Sequence, residues 1–221
     1  MQNNKIDSPV YQFLETFPPA VRQDLQTIPQ TGGMLPPEQC VAVMTTLKIS
    51  AEDLMLRLLP MAKLYSVTTI SGFQVGAVAK AWMSHNAGEI ALFLGANIEF
   101  AAQALMQTIH AEQSAIINAW LQGATQIDAI AVSSAPCGYC RQFLYELEGS
   151  QTLKLILDKQ IGGKKTQHKL ADLLPEAFGP HELGSATGLM ASSAQIADLN
   201  LQSSSNDSFV LEAMAAAKKS Y

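Results

Sequence analysis

The sequence has few charged residues, few aromatic residues and no excess of basic residues. Charged residues make up 15% of the 221 positions and aromatic residues 7%. Asp and Glu number 19 against 14 for Lys and Arg, so the formal net charge is −5. A protein that binds nucleic-acid phosphates normally needs a basic surface. The charge balance therefore argues against a nucleic-acid partner and favours a small-molecule substrate.

Long apolar runs and an N-terminal targeting pattern are also missing. No stretch approaches the roughly 18 uncharged apolar residues that a membrane-spanning helix requires. The first residues, MQNNKIDSP, do not form a basic stretch followed by an apolar one. Three cysteines are too few for a disulfide framework, and a reducing compartment would keep their thiols available to a metal. We therefore expect a cytoplasmic protein without a membrane partner, in which Cys40 is an ordinary buried side chain.

The first 65 residues have the pattern of helices. Apolar residues recur at three- and four-residue spacing over residues 9–26, which predicts a helix that Pro18 and Pro19 break or kink. A second helix is expected to begin near Pro37, since proline suits the first helical turn. A third is expected to run from the capping residue Ser50 to about Tyr65. We predict that this region serves packing and oligomerisation and contains no catalytic residue.

Beyond Ser71, short apolar segments alternate with helical patterns. The predicted strands cover 73–79, 90–96, 127–133 and 153–157, and the predicted helices cover 101–121, 137–147 and 169–174, with a hairpin turn at 85–88. Such alternation predicts an α/β fold in three layers, with helices on both faces of a sheet. The expected fold is therefore a three-layer α/β/α sheet preceded by an N-terminal helical region.

One imidazole and two thiols form a candidate zinc site. His110, Cys137 and Cys140 supply three ligands, which leaves a fourth tetrahedral position for water. Two thiolates, a neutral imidazole and Zn²⁺ sum to zero charge, so one zinc ion per chain needs no extra cation. Glu112 follows His110 by two residues and is expected to act as a proton carrier and not as a ligand. The pattern H-x-E followed by P-C-x-x-C is the signature of zinc deaminases that act on nucleobases.

Further motifs occur in a fixed order around the candidate zinc site. SGFQVGA begins at Ser71, GANIEF at Gly95 and LLPEAFGP at Leu173. Together with the zinc motifs, these segments resemble the cytidine deaminase family over roughly residues 54–180. The helical N-terminal region resembles that of the larger, dimeric bacterial cytidine deaminases. The resemblance implies a cytidine-deaminase-like sheet and a hydrolase that acts on a cyclic amidine C–N bond, converting cytidine or deoxycytidine to uridine or deoxyuridine and ammonia in pyrimidine salvage.

The same resemblance implies roles for residues that bind the nucleoside. Asn97 and Glu99 would bind ribose hydroxyls, and Phe73 would pack on the nucleoside. The remaining implied contacts are main-chain groups of Ala111 and Ala135 on the base edge and stacking of Phe178 on the ring, the last of these across a subunit boundary.

The larger relatives carry two copies of the fold, and the resemblance predicts four segments in this chain. They are an N-terminal helical region (1–65), a catalytic deaminase domain (66–190), a linker (191–207) and a segment (208–221) that would be the opening helix of an absent second deaminase-like domain. The last assignment depends on an echo of residues 54–66 in residues 209–221. We expect a homodimer or a higher homo-oligomer.

Several alternatives remain open from the sequence. The C-x-x-C pair could be a redox pair or part of a structural zinc site, although the nearby histidine and glutamate favour a catalytic one. A truncated, inactive deaminase-like subunit that acts as an interaction module would keep the same motifs. A deaminase acting on nucleic-acid cytosine is disfavoured by the acidic balance of the chain.

Overall fold

The structure is a computed structural model that describes residues 8–83, 88–158, 166–185, 187–191 and 204–217. Residues 85–87 of the predicted hairpin turn and most of the predicted linker lie outside these residues.

From residue 8 onward, the described part of the N-terminal region forms five helices and one short strand. These are α1 (Pro9–Leu14), α2 (Pro19–Leu25), α3 (Thr27–Gln30), β1 (Met34–Leu35), α4 (Pro37–Leu47) and α5 (Ala51–Lys63). The predicted break at Pro18 and Pro19 is confirmed, because α1 ends at Leu14 and Pro19 is the first residue of α2. The predicted cap of α5 is also confirmed, since the Asp53 N–H donates to Ser50 Oγ at 3.1 Å.

The remaining strands complete a six-stranded sheet. They are β2 (Gly76–Trp82), β3 (Ile90–Ala96), β4 (Gln126–Val132), β5 (Lys154–Leu157) and β6 (Thr166–Lys169), and the strand order is β1-β3-β2-β4-β5-β6. Within this sheet β4 and β5 are parallel and the other neighbours are antiparallel. The sequence did not predict β1 or β6, because β1 has two residues in a turn-rich stretch and β6 is polar throughout.

Helices cover both faces of the sheet, so the predicted three-layer α/β/α fold is confirmed. The N-terminal helices pack on one face, where α5 contributes Leu54, Met55 and Leu58 to a core shared with the sheet residues Val78 and Leu92. The other face is covered by α6 (Ala111–Leu121), α7 (Gly138–Tyr145) and α8 (Leu170–Leu173). That side of β2 presents small alanine side chains, which lets helix backbones approach the sheet closely.

Gly95 sets how closely α6 approaches β3. A Cβ atom on Gly95 would lie 2.2 Å from the main-chain nitrogen of Ala115 and 2.4 Å from the carbonyl oxygen of Ala111. Glycine is therefore required by packing at this position, because any side chain would collide with the helix backbone.

The predicted helix over residues 101–121 is wrong in its first half. Helix α6 begins at Ala111, and residues 101–109 form a loop with one 3₁₀ turn, Leu105–Gln107. Ile109 exchanges two main-chain hydrogen bonds with Ile98, at 2.9 and 3.0 Å, which holds the chain extended just before the helix. The alanine- and glutamine-rich composition of the loop favours a helix, but Leu105 and Met106 are exposed, so a helix there would have no buried face.

A last helix, α9 (Ser208–Ala217), lies where the sequence predicts one, and none of its residues is buried. Its assignment to a second deaminase-like domain stays a prediction. No helix in the described ranges combines the length and the hydropathy of a membrane span.

Candidate metal centre and active site

Two helix N-termini meet at the candidate zinc site. His110 is the N-cap residue of α6, and its N–H donates to Gln113 Oε1 at 3.0 Å. Cys137 is the N-cap residue of α7, where its Sγ accepts the Cys140 N–H at 3.5 Å. Both cysteines therefore occupy the first turn of α7, as predicted, and the positive ends of two helix dipoles face the same point.

The three donor atoms are spaced as a tetrahedral zinc ion requires. His110 Nδ1 lies 3.5 Å from Cys137 Sγ and 3.2 Å from Cys140 Sγ, and one donor atom from each of the three residues lies within 4.8 Å of the others. Zn–N and Zn–S bonds of ordinary length at tetrahedral angles place such donors roughly 3.6 Å apart. These residues therefore fit zinc in both chemistry and geometry.

Burial works against a free thiolate at Cys140. Burial and the nearby Glu112 carboxylate raise the pKa of the Cys140 thiol. A metal ion reverses that preference, since a coordinated thiol loses its proton.

Glu112 is the buried carboxylate of the site. Its side chain is 3% exposed, and burial raises its pKa above the ordinary value, which its own N–H, the Cys140 thiol and the charge of His110 offset only in part. A raised pKa suits a carboxyl group that must both accept and deliver a proton near neutral pH. Glu112 belongs to the first turn of α6, so the helix that begins at His110 also positions the predicted proton carrier.

A cavity of about 330 Å³ connects the metal ligands with the predicted nucleoside-binding residues. The predicted site residues that line it are Phe73, Asn97, Glu99, His110, Ala111, Glu112, Ala135 and Cys137. Cys140 is buried behind this lining. Phe178 is not brought to the cavity of its own chain; its side chain is 60% exposed, and its carbonyl oxygen accepts Gln142 Nε2–H at 2.7 Å.

Asn97 and Glu99 tie the loop before β2 to the end of β3. Asn97 Oδ1 accepts the Val75 N–H at 2.8 Å, and Asn97 Nδ2 donates to the Phe73 carbonyl at 2.9 Å. Glu99 accepts hydrogen bonds from the Ile70 N–H at 2.6 Å and from the N–H and hydroxyl of Ser71. The Ser71 hydroxyl, with the two N–H groups, outweighs the effect of burial and lowers the pKa of Glu99. Both side chains therefore hold the Phe73 loop in place.

Five lining residues were not assigned roles from the sequence: Ser71, Val75, Leu105, Thr108 and Ser134. Ser71 begins a recognised motif, yet a serine in a loop has no local signal for a bond to a carboxylate 28 positions away. The sequence did not indicate that Leu105 lines the cavity, because it predicted a helix over this residue and that helix does not form.

The chain is similar to known proteins in sequence. The model of the cytidine and deoxycytidylate deaminase zinc-binding region matches residues 48–155. Cytidine deaminases of Aliivibrio fischeri and Proteus mirabilis are 37% and 40% identical to this chain over 210 and 179 residues, which cover 94% and 81% of this chain and 66% and 55% of those proteins. A solved cytidine deaminase from Burkholderia pseudomallei is 31% identical, with 58% of this chain and 100% of that chain covered and a TM-score of 0.49.

The matched region and the donor set define the class as the zinc-dependent deaminases, which confirms zinc as the cofactor. Within that class, the chain belongs to the cytidine deaminase family. It spans 55–66% of the length of the two relatives compared.

Proposed function

We propose that this chain catalyses the hydrolytic deamination of cytidine and deoxycytidine to uridine or deoxyuridine and ammonia. The observation that carries the proposal is the composition of a single cavity. Its lining combines the ligands His110 and Cys137 and the buried Glu112 with Asn97 and Glu99, so metal, proton carrier and sugar-binding groups face one space. Neither a redox pair nor a structural zinc site requires the carboxylate of Glu112 or the side chains of Asn97 and Glu99 in the same cavity.

Zinc, when bound by His110, Cys137 and Cys140, supplies a Lewis acid that makes a water molecule nucleophilic at neutral pH. The Glu112 carboxylate accepts a proton from that water and delivers it to N3 of the pyrimidine as oxygen adds to C4. Glu112 then accepts the proton of the new C4 hydroxyl group and delivers it to the amino group, so that the C4–N bond breaks, ammonia leaves and the C4 carbonyl forms. The raised pKa of Glu112 suits both transfers, because the same group must act as base and then as acid.

Asn97 and Glu99 have hydrogen-bonding capacity that their contacts with the Phe73 loop do not use. Asn97 Nδ2 uses one of its two N–H groups on Phe73, so the other can donate to a sugar hydroxyl. Glu99 Oε1 bonds to the Ser71 hydroxyl and has a further lone pair that can accept from a sugar hydroxyl.

The remaining proposed contacts concern the base. Phe73 packs on the nucleoside, and main-chain groups of Ala111 and Ala135 bind the base edge. Phe178 projects into solvent beside α7, so we assign its stacking role to the cavity of a second copy. We accordingly propose a homodimer or higher homo-oligomer that acts in the cytoplasm.

The test is turnover by the purified, zinc-loaded chain. Loss of cytidine absorbance with equimolar ammonia is the expected result, and both should disappear in Glu112→Gln while the zinc content stays at one per chain. The carboxamide keeps the shape of the side chain but cannot carry the proton, so kcat should fall by at least about 10²-fold. A zinc-loaded chain that leaves cytidine unchanged would contradict the proposed activity, and a fully active Glu112→Gln would remove Glu112 from the mechanism.

A further inference from the structure

A second cavity, of about 340 Å³, shares a wall with the catalytic one. The wall is the extended chain at the end of β3, whose side chains alternate between the two spaces. Asn97 and Glu99 line the catalytic cavity, whereas Ala96 and Ile98 line the second. The other walls of the second cavity are mostly apolar and include Pro29, Ala62 and Tyr65, with Ser114 of α6.

The main-chain N–H and C=O of Ala96 point into this second cavity. Ala96 lies opposite Gly76 of β2, but Gly76 uses its own N–H and C=O on the side of β4, where both bond to Ser133 at 3.0 Å. Gly76 and Ala96 therefore form a non-hydrogen-bonded pair, and the main-chain groups of Ala96 face away from β2. The alternation along β3 agrees, since the Leu94 N–H donates outward to the Gly33 carbonyl at 2.8 Å.

Within the described chain, Ala96 lies between two residues, Leu94 and Ile98, whose outward main-chain groups are bonded. On one side, Leu94 bonds to Gly33 and accepts Asn118 Nδ2–H at 3.2 Å. On the other side, Ile98 bonds twice to Ile109. Ala96 is only 5% exposed, and neither of its main-chain groups has a partner among the residues that the structure describes. A buried amide left in this state is costly, so the cavity favours an occupant that offers one acceptor and one donor.

The interval between Leu94 and Ile98 limits what can bind at Ala96. Leu94 and Ile98 are four residues apart, which is about 13 Å along an extended chain. Because both ends of this interval are occupied, an extended peptide cannot continue along the edge. A single flat ring fits the interval, and the cavity volume is within the range of small-molecule sites, which begins at about 300 Å³.

We propose that this second cavity binds a small cyclic amide. The ring C=O accepts from the Ala96 N–H, and the ring N–H donates to the Ala96 C=O, which are the two bonds that an antiparallel strand residue would make. The ring faces pack against Tyr65, Ala62 and Ile98. The site does not depend on the deamination proposed above.

Uracil and 1,3-dimethyluracil are the matched probes. Both are flat rings of similar shape, but the methylated compound has no N–H to donate. In titrations of the ¹⁵N-labelled, zinc-loaded chain, uracil should shift the Ala96 amide proton downfield in a saturable manner. Loss of the hydrogen bond to the Ala96 carbonyl should weaken the binding of 1,3-dimethyluracil by at least about tenfold.

Two substitutions at one position separate the second cavity from the catalytic one. Ser114→Leu fills the second cavity, and Ser114→Ala leaves it open, so only the leucine should abolish the response at Ala96. Overturning results are shifts confined to Ala111 and Ala135 in the catalytic cavity, equal responses in the two variants, or equal affinity for the two probes. If Ser114→Leu fails to fold, the difference in affinity between the two probes on the unaltered chain is the test of the proposed site.

Discussion

Gly95→Ala should displace the helix that carries His110 and Glu112. The new Cβ would lie 2.2 Å from the Ala115 nitrogen, whereas relaxed contacts to carbon need about 3.5 Å, so helix and strand must separate by more than about 1 Å. Overpacking of a close contact costs about 1–3 kcal/mol. For a chain of this size that corresponds to a fall in Tm of roughly 2–12 °C.

The catalytic effect of Gly95→Ala should exceed the loss of stability. A shift of about 1 Å in a positioning element costs on the order of 10²-fold in rate, and the zinc content should fall as His110 moves from the two cysteines. Gly138→Ala is the matched control, because no atom lies within 4 Å of its added Cβ and alanine suits a helical turn. Thermal melts, metal analysis and kcat/KM on both variants make the test. An unchanged Gly95→Ala protein would refute the close packing inferred between β3 and α6.

Three further predictions concern other parts of the molecule. Ser71→Ala should raise KM for cytidine roughly tenfold with little change in kcat, because the variant loses one hydrogen bond to the Glu99 carboxylate, which holds the loop of Phe73. Ser71→Thr should restore KM, and a fall confined to kcat would contradict the positioning role. Cys140→Ala should bind no zinc, so a chelator should not change its stability. Cys40→Ala, at an equally buried cysteine, should keep one zinc and lose about 4 kcal/mol of stability when zinc at 1,000 times its Kd is removed. If metal analysis and thermal melts show that Cys140→Ala retains zinc, Cys140 is not a ligand. Burial alone would raise the pKa of Glu52, but its hydrogen bond to Lys80 and the charge of Lys80 hold the pKa below the ordinary value. The stabilisation by Glu52 is therefore present at neutral pH and is lost as pH falls through that lowered pKa, so the Tm of Glu52→Gln should fall less than that of the parent between roughly pH 5 and 3. Parallel curves of Tm against pH for the two proteins would count against this ion pair.

The zinc ligands were predictable because their signal is local. Cys137 and Cys140 follow a proline at a strand-to-helix junction, and the resulting turn places both at a helix N-terminus whatever the rest of the chain does. The break at Pro18 and the cap at Ser50 were predictable for the same reason, since each depends on neighbouring residues alone.

Features that depend on distant contacts were not predictable. The start of α6 was misplaced by about ten residues because Ile98, a residue outside the helix, holds Ile109 extended, and no nearby residue indicates that bond. Strand β6 has no apolar alternation, and it forms because β5 offers an edge. The Ser71 contact with Glu99 likewise joins two loops through the tertiary fold.

The position of the chemistry at two helix N-termini follows from a conflict within the site. Glu112 must be buried for its pKa to rise, and the same burial, with the carboxylate itself, raises the pKa of Cys140 and so opposes the thiolate that zinc needs. The charge of zinc lowers the pKa of a coordinated thiol directly. The main-chain N–H groups at the N-termini of α6 and α7 also stabilise the thiolate. A metal ligand on a strand or in the middle of a helix would lack that support. The close approach of α6 at Gly95 therefore serves the chemistry as well as the packing, because it brings the second helix N-terminus to the point where the charges conflict.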